Sequence, residues 1–129
     1  MTDQDIIERL SKTSFFADAE PRLLADVAAT GSVRQLVRGD VLFEQGAPPD
    51  ELYLVESGRI AIVISSPLDR RESVVALMEP GDLFGELAML DDGPRSATAR
   101  ALEATAVLAV ADLLAGLGFA DIVDTVIGS

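Results

Sequence analysis

Apolar residues recur at helical spacing twice near the start of the chain. Ile6, Ile7 and Leu10 mark one stripe within Gln4 to Leu10, and Leu23, Leu24, Val27 and Ala28 mark another within Pro21 to Ala29. Pro21 occupies the first-turn position that tolerates a missing N–H, so two short amphipathic helices are predicted. Phe15 and Phe16, between them, are expected to staple the helices to the core. Beyond Gly31 the period changes. Gly39-Asp40, Gly46, Gly58, Asp69-Arg70, Gly81-Asp82 and Gly93-Pro94 punctuate the chain every seven to twelve residues, the interval of a β sandwich or roll. Ile60, Ile62 and Ile64 alternate with Ala61 and Val63, and Val74, Ala76 and Met78 with Val75 and Leu77. Strands apolar on both faces are expected to pack one face on the core and the other on helices or ligand. Ala97 to Ala101 and Thr105 to Val110 read as the closing strands, with Arg95 at the mouth of the first. In the tail, Leu113, Leu114 and Leu117 read as a short helix, and Ile122, Val123, Val126 and Ile127 as a second apolar stripe. Gly116 and Gly118 interrupt them. The expected organisation is one domain over 1–129: N-terminal helices over 1–31, strands over 32–111 and a short helical tail over 112–129.

Candidate chemistry concentrates in one run, Phe84-Gly-Glu-Leu-Ala-Met-Leu-Asp-Asp-Gly-Pro-Arg-Ser-Ala-Thr98. A planar guanidinium grips a phosphodiester with two parallel charge-assisted hydrogen bonds, which assigns Arg95 to an anion. Gly85 allows close backbone approach, and Gly85-Glu86-Leu87-Ala88 is expected to open a helical turn whose free N–H groups share that anion. A carboxylate only accepts, so Glu86 beside a phosphate is useful against a donor such as a ribose 2′-hydroxyl. Pro94 restricts Gly93 and stiffens the approach to Arg95, and the Ser96 hydroxyl can donate to phosphate or base. Asp91-Asp92-Gly93-Pro94 reads as a polar turn, and Leu87, Met89 and Leu90 as core side chains.

Composition removes several alternatives. The formal charge is −12 and Lys12 is the sole lysine, the opposite of a nucleic-acid surface. The same charge repels an anion at long range, leaving capture to the local field of Arg95 and backbone dipoles. The chain has no cysteine and no histidine, which removes thiol nucleophiles, disulfides and the usual ligands of metal, haem and iron–sulfur sites. The carboxylates Glu79, Glu86, Asp91 and Asp92 follow no spacing that specifies acid–base catalysis, so no catalytic residue and no metal site are assigned. Neither a signal-peptide pattern nor an apolar run approaching about twenty residues occurs. A cytoplasmic location without a membrane span is the expectation.

The run from Phe84 to Thr98 resembles the phosphate-binding cassette of cyclic-nucleotide-binding domains, the sensor module of catabolite-activator-type regulators and cAMP-dependent kinase regulatory subunits. The resemblance extends across roughly Phe16 to Leu114. Val37 to Gly46 looks like the family's opening hairpin, Leu52 to Ile60 like its next glycine-turned pair, and Pro80 to Glu86 like its lead into the cassette. It implies a mainly β fold with flanking helices, a double-stranded, jelly-roll-like β roll with N-terminal helices and short C-terminal helices. It also implies that Glu86 binds the ribose, that Arg95 binds the cyclic phosphate, and that the amides of Gly85, Leu87 and Ala88 assist. Ser96 matches a position that influences the choice between cAMP and cGMP and is compatible with either. Gly39, Gly46 and Gly58 are read as scaffold, and Tyr53 as core with its hydroxyl at the edge. No helix-turn-helix pattern and no long lid helix are read in the tail, where Phe119 is the only aromatic. The functional expectation is a cyclic-nucleotide sensor module whose binding rearranges helices toward a protein partner or a second copy. The alternative is a non-responsive or severed roll used for protein contact.

Overall fold

The structure, a computed structural model, describes residues 1–85 and 94–111. Helix α1, Asp3–Ser11, starts on a reciprocal cap: Thr2 Oγ1 accepts from the Asp5 N–H and the Asp5 carboxylate accepts from the Thr2 N–H, each at 3.2 Å. Those bonds hold the Asp5 carboxyl below its ordinary range. Helix α2, Pro21–Ala28, begins on the expected proline. Among the described residues eight strands follow: β1 (Ser32–Leu36), β2 (Val41–Phe43), β3 (Glu51–Ser57), β4 (Ile60–Ser65), β5 (Glu72–Met78), β6 (Leu83–Phe84), β7 (Thr98–Ala101) and β8 (Thr105–Ala111).

They form two four-stranded antiparallel sheets, ordered β1-β8-β3-β6 and β2-β7-β4-β5. Strands β1, β3, β6 and β8 lie in the first and β2, β4, β5 and β7 in the second, so the chain winds from sheet to sheet as a roll. The two pairs expected to be hairpins are therefore corners. Strands β1 and β2 lie in different sheets, as do β3 and β4. Gly39 and Gly58, with φ of 92° and 85°, turn the chain between layers rather than within one. At Gly58 a Cβ would come within 2.5 Å of the Ala104 carbonyl oxygen, so close packing as well as φ requires glycine there. The hairpin between neighbours in sequence is β4 with β5, and Arg70, not a glycine, supplies its positive φ of 57°.

Two cores lie on the two faces of the first sheet, because β3 and β8 are apolar at every central position. Leu52, Leu54, Leu108 and Val110 face α1, α2 and Phe16. Tyr53, Val55, Val107 and Ala109, with Phe84 of β6 beside them, face the second sheet and meet Ile60, Ala99 and Ala101. Phe16 is 1 % exposed and meets Phe15 edge to face at 4.9 Å, fulfilling the expected staple. The two-faced pattern read in β4 and β5 behaves differently. The helices cover β3 and β8 instead, and on the edge strand β5 Val74, Val75 and Leu77 are exposed. Alternation of apolar residues specifies a strand but not what covers it. The tail, 112–129, including Phe119, lies outside the described residues. Among the described residues no helix is long and apolar enough to cross a membrane.

Candidate functional site

Arg95 lies three residues before β7, and its main chain is pinned by the loop between β2 and β3. Its N–H donates to the Ala47 carbonyl at 2.7 Å, and its carbonyl accepts from the Gly46 N–H at 2.7 Å. Gly46, read as scaffold, thus turns at φ 92° to hold the backbone of the site's cation.

The Arg95 side chain is turned inward and is 3 % exposed overall. Its Nη1 donates to the Gly85 carbonyl at 3.2 Å and its Nη2 to the Glu51 carbonyl. The guanidinium carbon stands 4.3 Å from the Phe43 ring centroid and 5.6 Å from that of Tyr53. These rings and Phe84 form one aromatic cluster, with Phe43–Tyr53 and Tyr53–Phe84 stacked at 5.6 and 5.5 Å. Cation–π attraction in a desolvated site replaces part of the lost hydration. The charge itself has no carboxylate partner among the described residues, and Nε is buried with no hydrogen-bond partner there. A guanidinium carries five N–H donors, so carbonyl contacts at Nη1 and Nη2 leave the Nε–H and further Nη protons available to an anion.

Gly85 follows β6 with φ 101°, outside the helical region, and the turn expected to continue from it over 86–88 lies outside the described residues. Its lack of a side chain serves a contact that is described. A Cβ at this position would lie 2.8 Å from Arg95 Nη1 and 3.3 Å from the Glu51 carbonyl oxygen, both close approaches that glycine permits.

Gly85, Arg95 and Ser96 share the wall of a cleft of ≈ 370 Å³, which is of small-molecule scale. Among the described residues its remaining lining is apolar or aromatic, including Phe43, Ile62, Val75 and Met78. A bulge in the β4–β5 register, where Ile62 faces Ala76 and Val63 faces Val74, leaves Val75 unpaired and on the cleft wall. One charged corner and a long apolar wall match a ligand that is anionic at one end and flat at the other. Glu86, Leu87 and Ala88, the remaining positions of the sequence-derived set, lie outside the described residues, as do Asp91, Asp92 and Gly93.

Sequence reasoning missed Glu51, Arg34 and Phe43. The Arg34 guanidinium bonds one Glu51 carboxylate oxygen, and the Tyr53 hydroxyl donates to the other at 3.1 Å. That contact holds Arg34 more firmly protonated than usual. Tyr53 is core, 2 % exposed, with its hydroxyl on this network. Burial first, and the Glu51 charge second, push its phenol up to about 12. The folded chain thus keeps a proton that the unfolded chain loses near pH 10. The associated stability is complete below pH 10 and is lost as pH rises toward 12. Tyr53 is the sole tyrosine and there is no tryptophan, so the tyrosinate absorbance reports this group alone. Its titration is expected well above that of free tyrosine and to fall back in denaturant.

The fold agrees with the comparisons. The family model for the cyclic nucleotide-binding domain matches residues 33–112, and the chain belongs to that family. It is 36 % identical over 92 residues to the CRP-like cAMP-activated global transcriptional regulator of Mycobacterium tuberculosis, covering 71 % of this chain and 41 % of that protein. It is 42 % identical over 86 residues to the cyclic AMP receptor protein of Thermus thermophilus, covering 66 % of this chain and 39 % of that one. The chain thus spans about two fifths of the length of these relatives. Among solved structures, the N-terminal domain of a transcriptional regulator from Streptomyces coelicolor A3(2) superposes with a TM-score of 0.69 at 34 % identity, over 90 % of this chain and 79 % of that one.

Proposed function

We propose that this chain is a sensor module that binds cAMP or cGMP through Arg95 and passes the binding event to a protein partner or a second copy by rearranging its helices. The observation that carries the reading is the buried Arg95 guanidinium, free of any carboxylate among the described residues, with an unpartnered Nε and a place in the wall of a cleft whose other described lining is mostly apolar. A buried cation of this kind is costly unless an anion completes it. A cyclic phosphodiester supplies one negative charge, and its base supplies a flat apolar body for the Ile62 and Met78 wall. In this reading Glu86 accepts from the ribose hydroxyl, the amides of Gly85, Leu87 and Ala88 share the phosphate, and Ser96 contacts phosphate or base. Both curated relatives carry cAMP in their names, which favours cAMP. The chain acts by binding, not by catalysis.

Transmission has a physical basis in β3. The strand presents Tyr53 to the site and Leu52 and Leu54 to the helices, and Arg9 of α1 pairs with Glu56 of β3 at 2.7 Å. A shift of β3 is felt on both faces. Ligand moves the equilibrium only if it prefers one of the two states.

Calorimetric titration with cAMP and cGMP tests the proposal. Saturable binding of at least one is expected, with 5′-AMP, which lacks the cyclic diester, much weaker. Absence of heat from either cyclic nucleotide up to millimolar concentration sinks the reading. It would favour protein contact instead, for which the exposed β5 residues Val74, Val75 and Leu77 offer an apolar surface.

A further inference from the structure

Glu51 touches Arg95 through its main chain and two other residues through its side chain. Its carbonyl accepts from Arg95 Nη2, while its carboxylate is held by Arg34 on one oxygen and by the Tyr53 hydroxyl on the other. Glu51 is the first residue of β3, paired with Ala111 at the last register position of β8. Strand ends fray, and a carbonyl at such an end is a poor fixed point unless something else anchors the residue. Arg34 does so from β1, two strands away across β8. Tyr53 closes the arrangement from within, its ring 5.9 Å from the Arg34 guanidinium carbon and 5.6 Å from that of Arg95. Two cations therefore flank one ring, and the Glu51 carboxylate pairs with one of them, Arg34, while Arg95 receives only the Glu51 carbonyl.

We infer that Glu51, clamped by Arg34 and Tyr53, is the positioning unit for Arg95. Its side-chain bonds fix the carbonyl that aims the guanidinium, so the Nε edge is presented to the anion before the anion arrives. Preorganisation of this kind raises affinity by sparing the cost of ordering the side chain on binding. The same clamp keeps Arg34 from competing for the anion, because its charge is already satisfied. The inference rests on the reading of Arg95 as the anion grip but concerns an arrangement present without ligand.

The test measures both. In the ligand-free protein the Arg95 Nε–H resonance is followed by NMR for hydrogen exchange, and cAMP affinity is measured by calorimetry. The variants are Glu51→Gln, Arg34→Met and Arg34→Lys. Wild type is expected to give an Arg95 Nε–H far slower to exchange than that of the exposed Arg71. Arg34→Met and Glu51→Gln are expected to speed that exchange and weaken cAMP roughly two- to fivefold, the range of a partly exposed ion pair. Arg34→Lys restores part of both, and the thermal midpoint stays within a few degrees. A merely structural role would lower the midpoint and leave the exchange of Arg95 relative to other buried groups unchanged. If Arg34→Met does not fold, Glu51→Gln, which preserves shape, decides alone. An Arg95 Nε–H as fast as that of Arg71 in wild type, or one unmoved in the folded variants, overturns the inference whether or not nucleotide binds. If wild type ignores cAMP and cGMP while Arg95 responds to the variants, the positioning stands and the nucleotide reading falls.

Discussion

Arg95→Ala is expected to cost about 2 to 4 kcal/mol of nucleotide binding, the range for truncating one member of a buried charge pair. Calorimetry would read this as a loss of roughly thirtyfold to almost a thousandfold in affinity. The magnitude follows from the position of the side chain. Arg95 lines a cleft in which, among the described residues, there is no second arginine or lysine to take over the charge. Arg95→Lys is expected to recover little. A lysine ammonium is a compact point charge and cannot hold the Glu51 and Gly85 carbonyls while presenting a second edge to phosphate. Glu86→Gln is expected to cost less, because an amide oxygen still accepts from a hydroxyl. Stability separates a binding effect from misfolding. Without nucleotide, Arg95→Ala loses contacts to two carbonyls and the Phe43 ring but also sheds a buried cation, and these changes oppose one another. The clear signature is therefore the loss of ligand-induced stabilisation, which in wild type reaches about 2.7 kcal/mol at a ligand concentration one hundred times Kd. Normal binding by Arg95→Ala would remove the site assignment.

The second large effect is on the fold. Phe16→Ala is expected to lower the free energy of unfolding by about 3 to 5 kcal/mol, the cost of emptying a buried aromatic site. Phe16 is almost fully buried within the cluster formed by Ile6, Leu10, Leu24 and Leu54. The loop that carries it is tied by Thr13, whose hydroxyl donates to the Leu10 carbonyl at 2.6 Å and accepts from the Phe16 N–H at 3.3 Å. Collapse to fill the void is therefore restrained. Urea unfolding would show a lower midpoint. A change below about 1 kcal/mol would mean that the helices contribute little to the stability of the sheet beneath them.

The sequence exposed what depends on neighbours along the chain and concealed what depends on neighbours in space. Pro21, the apolar stripes of α1 and α2 and the regular turns announced the helices and the β architecture. Arg95 was legible because its glycine, proline and serine neighbours lie within one short run. Glu51 was not, because its partners Arg34 and Tyr53 arrive from different strands and its bond to Arg95 uses a carbonyl that every residue possesses. The openness of Gly85 was legible, but the guanidinium that uses it was not. The lack of a Cβ at Gly85 admits the Arg95 guanidinium, and the positive φ of Gly85 lies outside the helical region. Gly39 and Gly58 were misread as hairpin turns because a local sequence names a reversal without saying which sheet receives the chain. The exposed apolar residues of β5 show the same gap, since alternation records strand geometry and leaves the occupant of each face unspecified.

The winding between layers places the latest strands in the middle of both sheets. Strand β8 separates β1 from β3, and β7 separates β2 from β4. As the chain is synthesised, neither β1 nor β2 has its sheet partner until the segment beyond Arg95 has emerged, and Ser32 must wait for Ala109. Early strands therefore hold open edges throughout most of translation, and closure requires contacts between distant parts of the chain, the kind that slow folding and prolong exposure to aggregation. The ordering also joins two events. The turn that inserts β7 and allows β8 to complete the roll is the same turn that carries Arg95 onto Gly46 and Ala47, so the cleft beside Arg95 forms at the moment the roll closes.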